Sequence, residues 1–204
     1  MSVKILSAFC TLWMFFQAFN VQSMPVDSIL PEKVNFWSSQ IEISASLYWP
    51  VPIDPSKKLP VVIMGPGFSG VKECNYHFIA EQFAKGGFAV LLFDYPNFGA
   101  SGGTNRQEAD PWQQVEAYRD AIGFVAAQER IDKDKIGVWG GSYSGGHTLV
   151  VAALDTRVKC FVALTPYLGG YDFISKIPLA QRQALAQLFN QDRLNRNKGG
   201  KPMI

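Results

Sequence analysis

The sequence predicts one α/β domain in which a mostly parallel β-sheet is flanked by helices. Short apolar runs typical of strands alternate with segments whose apolar residues recur at helical spacing. Strands separated by helices of this length indicate βαβ units with right-handed crossovers. The length of 204 residues also favours a single domain, since a domain takes about 150 residues.

Five segments have the pattern of β-strands. Residues 41–49 begin with apolar and polar side chains in alternation, as expected for a strand with one buried face. The other four are short apolar runs: residues 61–64, 88–93, 136–139 and 158–164. The run at 88–93 is continuous, which is typical of a parallel strand covered on both faces.

Helical patterns lie between these strands. Apolar residues recur at helical spacing over residues 76–83, and paired glycines end that helix. The next helix has a recognisable start, because Asp110 can cap it, Pro111 suits its first position and Gln113 can complete a capping box. A helix of small residues precedes the last strand. Residues 177–196 predict an exposed amphipathic helix.

Composition restricts the possible partners. Lys and Arg number 19 against 17 Asp and Glu, so the net charge of +2 gives no reason to expect nucleic acid as a partner. Three cysteines do not make a disulfide scaffold or a zinc site, and we predict no metal. Cys160 lies in an apolar strand-like run, so we expect a buried thiol.

The first 23 residues have the pattern of a secretory signal peptide. Lys4 precedes an apolar run over residues 5–19, and Ser23 is a small residue before a cleavage site at Met24. The run is shorter than the roughly 20 residues of a membrane span. We therefore expect a secreted protein with no stable membrane span after signal removal. The alternative is that Met24 is the true start, which predicts a cytoplasmic protein.

The candidate nucleophile lies in a glycine- and serine-rich turn at residues 139–147, between a predicted strand and a helix. A serine in such a sharp turn is lifted out of the sheet edge, and small residues two before and two after it allow close packing. Gly140 and Ser144 fill these positions around Ser142, so we predict Ser142 as the nucleophile. Ser144 is the competing assignment, and a loop without chemistry is the remaining alternative.

An oxyanion formed at Ser142 needs hydrogen-bond donors. In a strand–turn–helix site the backbone N–H of the residue after the nucleophile supplies one, and the loop after an earlier strand supplies the other. These donors are Tyr143 and Phe68, the latter in the loop at residues 65–70. That loop lacks the G-K-[ST] ending of a phosphate-binding loop, and we predict no cofactor.

Several motifs together resemble the α/β-hydrolase superfamily, and within it the dienelactone-hydrolase-like proteins and the fungal polyketide transferases or thiohydrolases. The resemblance extends from about residue 34 to 171 and is carried by residues 67–73, 93–103, 106–114, 142–147 and 155–159. Such proteins often have a His-Gly pair in the oxyanion loop, where this chain has Pro66 and Gly67. Pro66 leaves the N–H of Phe68 in place.

The resemblance implies an α/β-hydrolase fold with its last strands missing. After the signal-peptide pattern at residues 1–23, it implies an incomplete hydrolase core at 24–175 and the start of a lid or cap at 176–204. It also implies two further strands after Ile204, so we interpret the chain as C-terminally truncated.

The resemblance further implies the chain order Ser, then Asp or Glu, then His. Only His147 follows Ser142, and it lies five positions along the same helix, so we interpret it as a packing residue. His77 precedes the nucleophile and reads as a surface or half-buried helix residue. Asp155 and Asp172 are available acids without a histidine to orient. The general base and acid are therefore not identified in this chain.

The expected function is acyl transfer from a small-molecule ester or thioester through a Ser142 acyl-enzyme, weakened by the missing base. The alternatives are a non-catalytic fragment or pseudoenzyme that retains the fold, an acyl or polyketide transferase, and an X-prolyl-type peptidase. Whether the chain is an enzyme stays open at this point.

Overall fold

The computed structural model describes residues 29–52 and 54–201, with the backbone alone at 171–173. Over these residues six strands form one sheet: β1 (Glu32–Ser38), β2 (Ile41–Tyr48), β3 (Leu59–Gly65), β4 (Ala89–Phe93), β5 (Ile131–Gly141) and β6 (Val158–Leu164). The helices are α1 (Tyr76–Lys85), α2 (Pro111–Ala126), α3 (Tyr143–Leu154), α4 (Gly170–Ser175) and α5 (Leu179–Asn197). The predicted signal peptide lies outside the described residues.

The strand order is β1-β2-β4-β3-β5-β6. Strands β4, β3, β5 and β6 are parallel, whereas β1 and β2 form an antiparallel hairpin that adds β2 antiparallel to β4. The predicted fold class, an α/β protein of the α/β-hydrolase type with a mostly parallel sheet flanked by helices, is confirmed. The turn at Ser39 and Gln40 has φ values of 46° and 65°, which match the twist that a two-residue hairpin requires.

Side chains of the central strands alternate between two cores. Val61 and Ile63 of β3 pack with apolar residues of α2, while Val62 and Met64 pack with Ala80 of α1. This alternation follows from the two-residue period of a strand. Because helices cover both faces, every residue of β4 is buried, as the continuous apolar run predicts.

The predicted cap and first residue of α2 are confirmed, but the predicted capping box is wrong, because the Gln113 side chain accepts from Asn97 Nδ2 at 3.3 Å and not from the Asp110 N–H. Asp110 accepts hydrogen bonds from the backbone N–H groups of Trp112 and Gln113, at 2.9 and 3.2 Å, and Pro111 occupies the first helical position. Two of the N–H groups left unpaired at a helix N-terminus are thereby satisfied.

Strand β6 is an edge strand and is largely exposed. Phe161 and Leu164 are 48% and 54% exposed. Cys160 is also exposed, so the prediction of a buried thiol is wrong. The physical reason is that β6 pairs only with β5 within the described residues, so an apolar strand lacks a neighbour on its outer side.

Helix α5 confirms the predicted exposed amphipathic helix. It carries exposed apolar side chains at Leu179, Leu185, Phe189 and Leu194, and its one buried residue is Asp192. Within residues 29–52 and 54–201, no helix has both the length and the apolarity that a membrane span requires.

Candidate active site

Ser142 lies in a tight turn between β5 and α3. Its φ and ψ are 57° and −117°, a conformation that non-glycine residues rarely adopt and that costs about 1–3 kcal/mol. Its N–H donates to the Leu164 carbonyl at 2.9 Å, and its carbonyl accepts from the N–H of Tyr167 at 2.9 Å. These bonds hold the turn against the end of β6. The strand–turn–helix arrangement expected around Ser142 is present, and the residue is exposed.

Glycines allow strand, turn and helix to pack closely. A Cβ atom at Gly140 would lie 2.3 Å from the carbonyl oxygen of Ser144, and one at Gly146 would lie 2.4 Å from that of Tyr167. Both distances are shorter than any contact that the backbone tolerates, so neither position accepts a side chain without a shift of α3. The small residues noted in the sequence therefore have a steric cause.

Ser144, the competing nucleophile, is fully buried. Its hydroxyl accepts a hydrogen bond from the Gly141 N–H and donates one to the Gly141 carbonyl, both at 3.0 Å. This hydroxyl is engaged in holding the turn. Of the two serines, Ser142 is the one exposed at the surface.

The loop after β3 lies against the Ser142 turn. A Cβ atom built on Gly67 would lie 3.8 Å from the Cβ of Ser142. The rings of Phe68 and Tyr143 meet edge to face, with centroids 5.3 Å apart. Among the described residues, no acceptor is bonded to the backbone N–H of Phe68 or of Tyr143. The two segments expected to supply oxyanion donors are therefore neighbours, and both donors are unpaired.

Two tyrosines fix the position of this loop, and the sequence did not identify either of them for this role. The hydroxyl of Tyr118 accepts from the Gly65 N–H at 2.8 Å and donates to the Trp139 carbonyl at 2.9 Å. It thereby joins the ends of β3 and β5. The hydroxyl of Tyr76 accepts from the Gly67 N–H at 2.8 Å. Burial raises the pKa of Tyr118 well above its usual value, so its hydroxyl keeps its proton.

A buried ion pair holds the far end of the loop. Asp94, at the end of β4, accepts from the backbone N–H and the Nζ of Lys72, at 2.6 and 2.7 Å. It also accepts from the Ala100 N–H at 3.0 Å. Because Asp94 and Lys72 are almost completely buried, each charge depends on the other for its stability.

Neither histidine contacts Ser142. His147 is buried in α3, with Nε2 at 2.8 Å from Oε1 of Gln114 and its ring 4.5 Å from that of Tyr143. Burial lowers its pKa from 6.5 to about 4, so it is neutral at pH 7. The packing role expected for His147 agrees with these contacts.

His77 lies in α1 and is bonded elsewhere. Its Nδ1 is hydrogen-bonded to the Tyr48 hydroxyl, and its Nε2 lies 2.5 Å from Oε2 of Glu73. The hydrogen bond from His77 lowers the pKa of the Glu73 carboxyl. The sequence predicts only a surface or half-buried helix residue at His77 and does not indicate its hydrogen bonds to Tyr48 and Glu73.

The acids noted in the sequence do not meet a histidine in the structure. Asp155 is buried at the end of α3 and accepts from Nε and Nη2 of Arg157, at 2.9 and 2.6 Å. Those hydrogen bonds lower its pKa. Asp172 lies in α4, where the backbone alone is described. Over the described residues, no cluster of His, Cys, Asp or Glu has the arrangement to hold a metal ion.

Known proteins share this architecture. The family model described as X-Pro dipeptidyl-peptidase (S15 family) matches residues 39–198. The Quorum-quenching protein AidA of Acinetobacter baumannii is 31% identical over 185 residues, which cover 91% of this chain and 58% of AidA. Thiohydrolase aneE of Aspergillus aculeatus is 44% identical over 107 residues, which cover 52% of this chain and 34% of aneE. Another relative is named Polyketide transferase af380.

Among solved structures, the α/β hydrolase GrgF from Penicillium sp. sh18 is similar, with a TM-score of 0.73 and 30% identity. The match covers 84% of this chain and 56% of GrgF. The chain thus spans between 34% and 58% of the relatives described here. By its sequence match and its fold, the chain belongs to the X-Pro dipeptidyl-peptidase (S15) family of α/β hydrolases.

Proposed function

We propose that Ser142 is the nucleophile of an acyl transfer from a small-molecule ester or thioester. The observation that supports this most is the exposed Ser142 in a strained turn, beside a loop whose Phe68 N–H is unpaired, as is the N–H of Tyr143. Strain of this kind is concentrated at functional sites because the surrounding structure must maintain it.

In the proposed reaction the Ser142 hydroxyl attacks the acyl carbonyl carbon and loses its proton to a base. The N–H groups of Phe68 and Tyr143 stabilise the resulting oxyanion, each contributing about 2.7–4 kcal/mol. Collapse of the tetrahedral intermediate expels an alcohol or a thiol, which takes up the proton. Water or an alcohol then accepts the acyl group from Ser142 by the same steps in reverse.

The general base is the part of this mechanism that the described residues do not supply. His147 is bonded to Gln114, and His77 is bonded to Glu73 and Tyr48. We propose that a residue outside these 204 supplies the base, in a longer protein comparable in length to its relatives. The same proposal assigns residues 24–175 to the hydrolase core and 176–204 to the start of a lid, with residues 1–23 as a signal for secretion.

A reactive phosphonate provides the test. A fluorophosphonate should form a covalent adduct on Ser142 of this chain, located by peptide mass spectrometry. Because no histidine contacts Ser142 within residues 29–52 and 54–201, we expect slow labelling that added imidazole accelerates, since imidazole can act as an external base. Ser142→Ala should abolish the adduct, and the matched control Ser144→Ala should retain it. An adduct confined to Ser144, or none in the folded protein, contradicts the proposal.

A peptidase is a second candidate, favoured by the family match over residues 39–198. We rank the ester or thioester first because relatives of this chain are named thiohydrolase and polyketide transferase. Matched ester and X-Pro amide substrates of one acyl group separate the two. Faster turnover of the amide in an active form of the protein would favour the peptidase.

A non-catalytic role is favoured by one further observation, the engagement of both histidines away from Ser142. In that case the chain would bind an acyl compound without turning it over. Esterase turnover by the 204-residue chain that disappears in Ser142→Ala would exclude this role.

A further inference from the structure

A cavity of about 480 Å³ opens beside the Ser142 turn, between the start of α2, one face of α3 and residues 167–170. Tyr143 is both the residue after Ser142 and a wall of this cavity. Other walls are Trp112 and Val115 of α2 and Val150 of α3. The volume is in the range of sites that bind small organic molecules.

His147 is the unusual residue of this cavity. The residue is only 5% exposed and lines a space whose other walls are largely apolar. Its Nε2 is bonded to Oε1 of Gln114, which places the proton of the neutral ring on Nε2. Its Nδ1 has no hydrogen-bond partner among the described residues. Nδ1 is also not among the inaccessible side-chain atoms that lack a partner, so it retains some accessible surface.

These facts indicate from which side a ligand can reach Nδ1. His147 is almost completely buried and is one of the residues that line the cavity, so the cavity is where a ligand can meet an accessible Nδ1. An imidazole nitrogen without a proton is a hydrogen-bond acceptor and cannot donate. A complementary ligand therefore brings a donor to Nδ1 and presents apolar surface to Trp112, Val115 and Val150.

We propose that this cavity binds the aliphatic acyl chain of the substrate, and that His147 Nδ1 accepts a hydrogen bond from a hydroxyl group on that chain. The inference rests on the proposed function, because the acyl group is placed by its ester bond to Ser142. His147 is then a specificity-determining residue rather than a base. A charged group in the chain is excluded, because the apolar walls do not replace its hydration.

The test uses the 204-residue chain with Ser142→Ala, so that no ligand is consumed. The probes are the N-acetylcysteamine thioesters of octanoic acid and of its 3-, 5- and 7-hydroxy derivatives. We expect at least one hydroxylated probe to bind about fivefold more tightly than the octanoyl probe, the gain of one hydrogen bond. With ¹⁵N-histidine labelling, that probe should also shift the Nδ1 resonance of His147.

Variants separate the role of His147 from general packing. His147→Phe should remove the preference for the hydroxyl, whereas the control His77→Phe should keep it. Trp112→Ala should weaken all four probes by a similar factor. The Nδ1 shift is measured in the Ser142→Ala chain with His147 intact, so the proposal stays testable even if His147→Phe does not fold.

The outcomes distinguish this inference from the proposed function. Equal affinity for all four probes without an Nδ1 shift overturns the inference, even when the fluorophosphonate labels Ser142. A hydroxyl preference together with the Nδ1 shift supports the cavity assignment. If Ser142 then remains unlabelled, the proposed function fails while the binding site stands.

Discussion

Removal of the Tyr118 hydroxyl tests whether the ends of β3 and β5 are held together as described. In Tyr118→Phe, the Gly65 N–H and the Trp139 carbonyl both lose their hydrogen bond to the Tyr118 hydroxyl. Gly65 is buried and Trp139 is 6% exposed, so water does not readily replace the lost bonds. An unpaired buried polar group costs about 1–3 kcal/mol, and with partial relaxation we expect a total loss of about 2–4 kcal/mol.

The chain contains a matched control for this change. Tyr95 is equally buried, and its hydroxyl lies near Gly65, but it bonds neither the Gly65 N–H nor the Trp139 carbonyl. Tyr95→Phe should therefore cost less than about 1 kcal/mol. Urea unfolding followed by circular dichroism gives both values. A Tyr118→Phe protein within about 0.5 kcal/mol of wild type, or a Tyr95→Phe protein that loses as much, would refute the reasoning.

Three further predictions concern the same region. Gly140→Ala should destabilise the fold by about 1–3 kcal/mol in urea unfolding, because the new Cβ would lie 2.3 Å from the Ser144 carbonyl oxygen. The control Gly141→Ala should be nearly neutral, because the nearest atom to its Cβ would be 3.5 Å away. Equal losses of stability in the two variants would contradict the steric argument. Asp94→Asn removes the buried partner of the Lys72 ammonium, which keeps only the exposed Glu73 carboxylate at 3.5 Å as an ionic partner, and should cost about 3–5 kcal/mol in the same assay. A loss below about 1 kcal/mol would contradict the dependence of the Lys72 charge on Asp94. The pKa of His147 is about 4 in the folded chain and 6.5 in the unfolded chain, so between these pH values the unfolded chain binds a proton that the folded chain does not. The free energy of unfolding should therefore fall by about 3 kcal/mol as the pH drops from 6.5 to 4. His147→Gln should remove that part of the pH dependence. If the free energy of unfolding changed with pH as steeply in the variant as in the wild type, the lowered pKa would be contradicted.

Periodicity alone was sufficient to predict most of the sheet. The runs at residues 61–64 and 89–93 lie in β3 and β4, where a covered strand must present apolar side chains to both helical layers. The run at 158–164 also forms a strand, β6, although that strand is largely exposed. Strand β1 was not predicted, since its first half includes Glu32, Lys33 and Asn35, which are charged or polar, and its turn at Ser39 and Gln40 lacks the usual Asn-Gly signal. The wrong prediction for Cys160 has a related cause, because burial depends on neighbouring strands that the local sequence does not specify.

The candidate site likewise has one part that the sequence predicts and another that it does not. The Ser142 turn could be predicted because its glycines and serines are contiguous in the chain and are required by local sterics. The role of Tyr118 could not, because its position on the apolar face of α2 predicts burial but not the two strand ends that its hydroxyl joins. The engagement of His147 by Gln114 likewise joins residues of two helices, and no local pattern indicates it.

A crystal structure of the phosphonate adduct tests the central claim most directly. We predict the phosphorus on Ser142 Oγ, with one phosphoryl oxygen about 2.7–3.1 Å from the backbone nitrogens of both Phe68 and Tyr143. An adduct on another residue, or a phosphoryl oxygen turned away from both nitrogens, would contradict the assignment of Ser142 and its oxyanion donors.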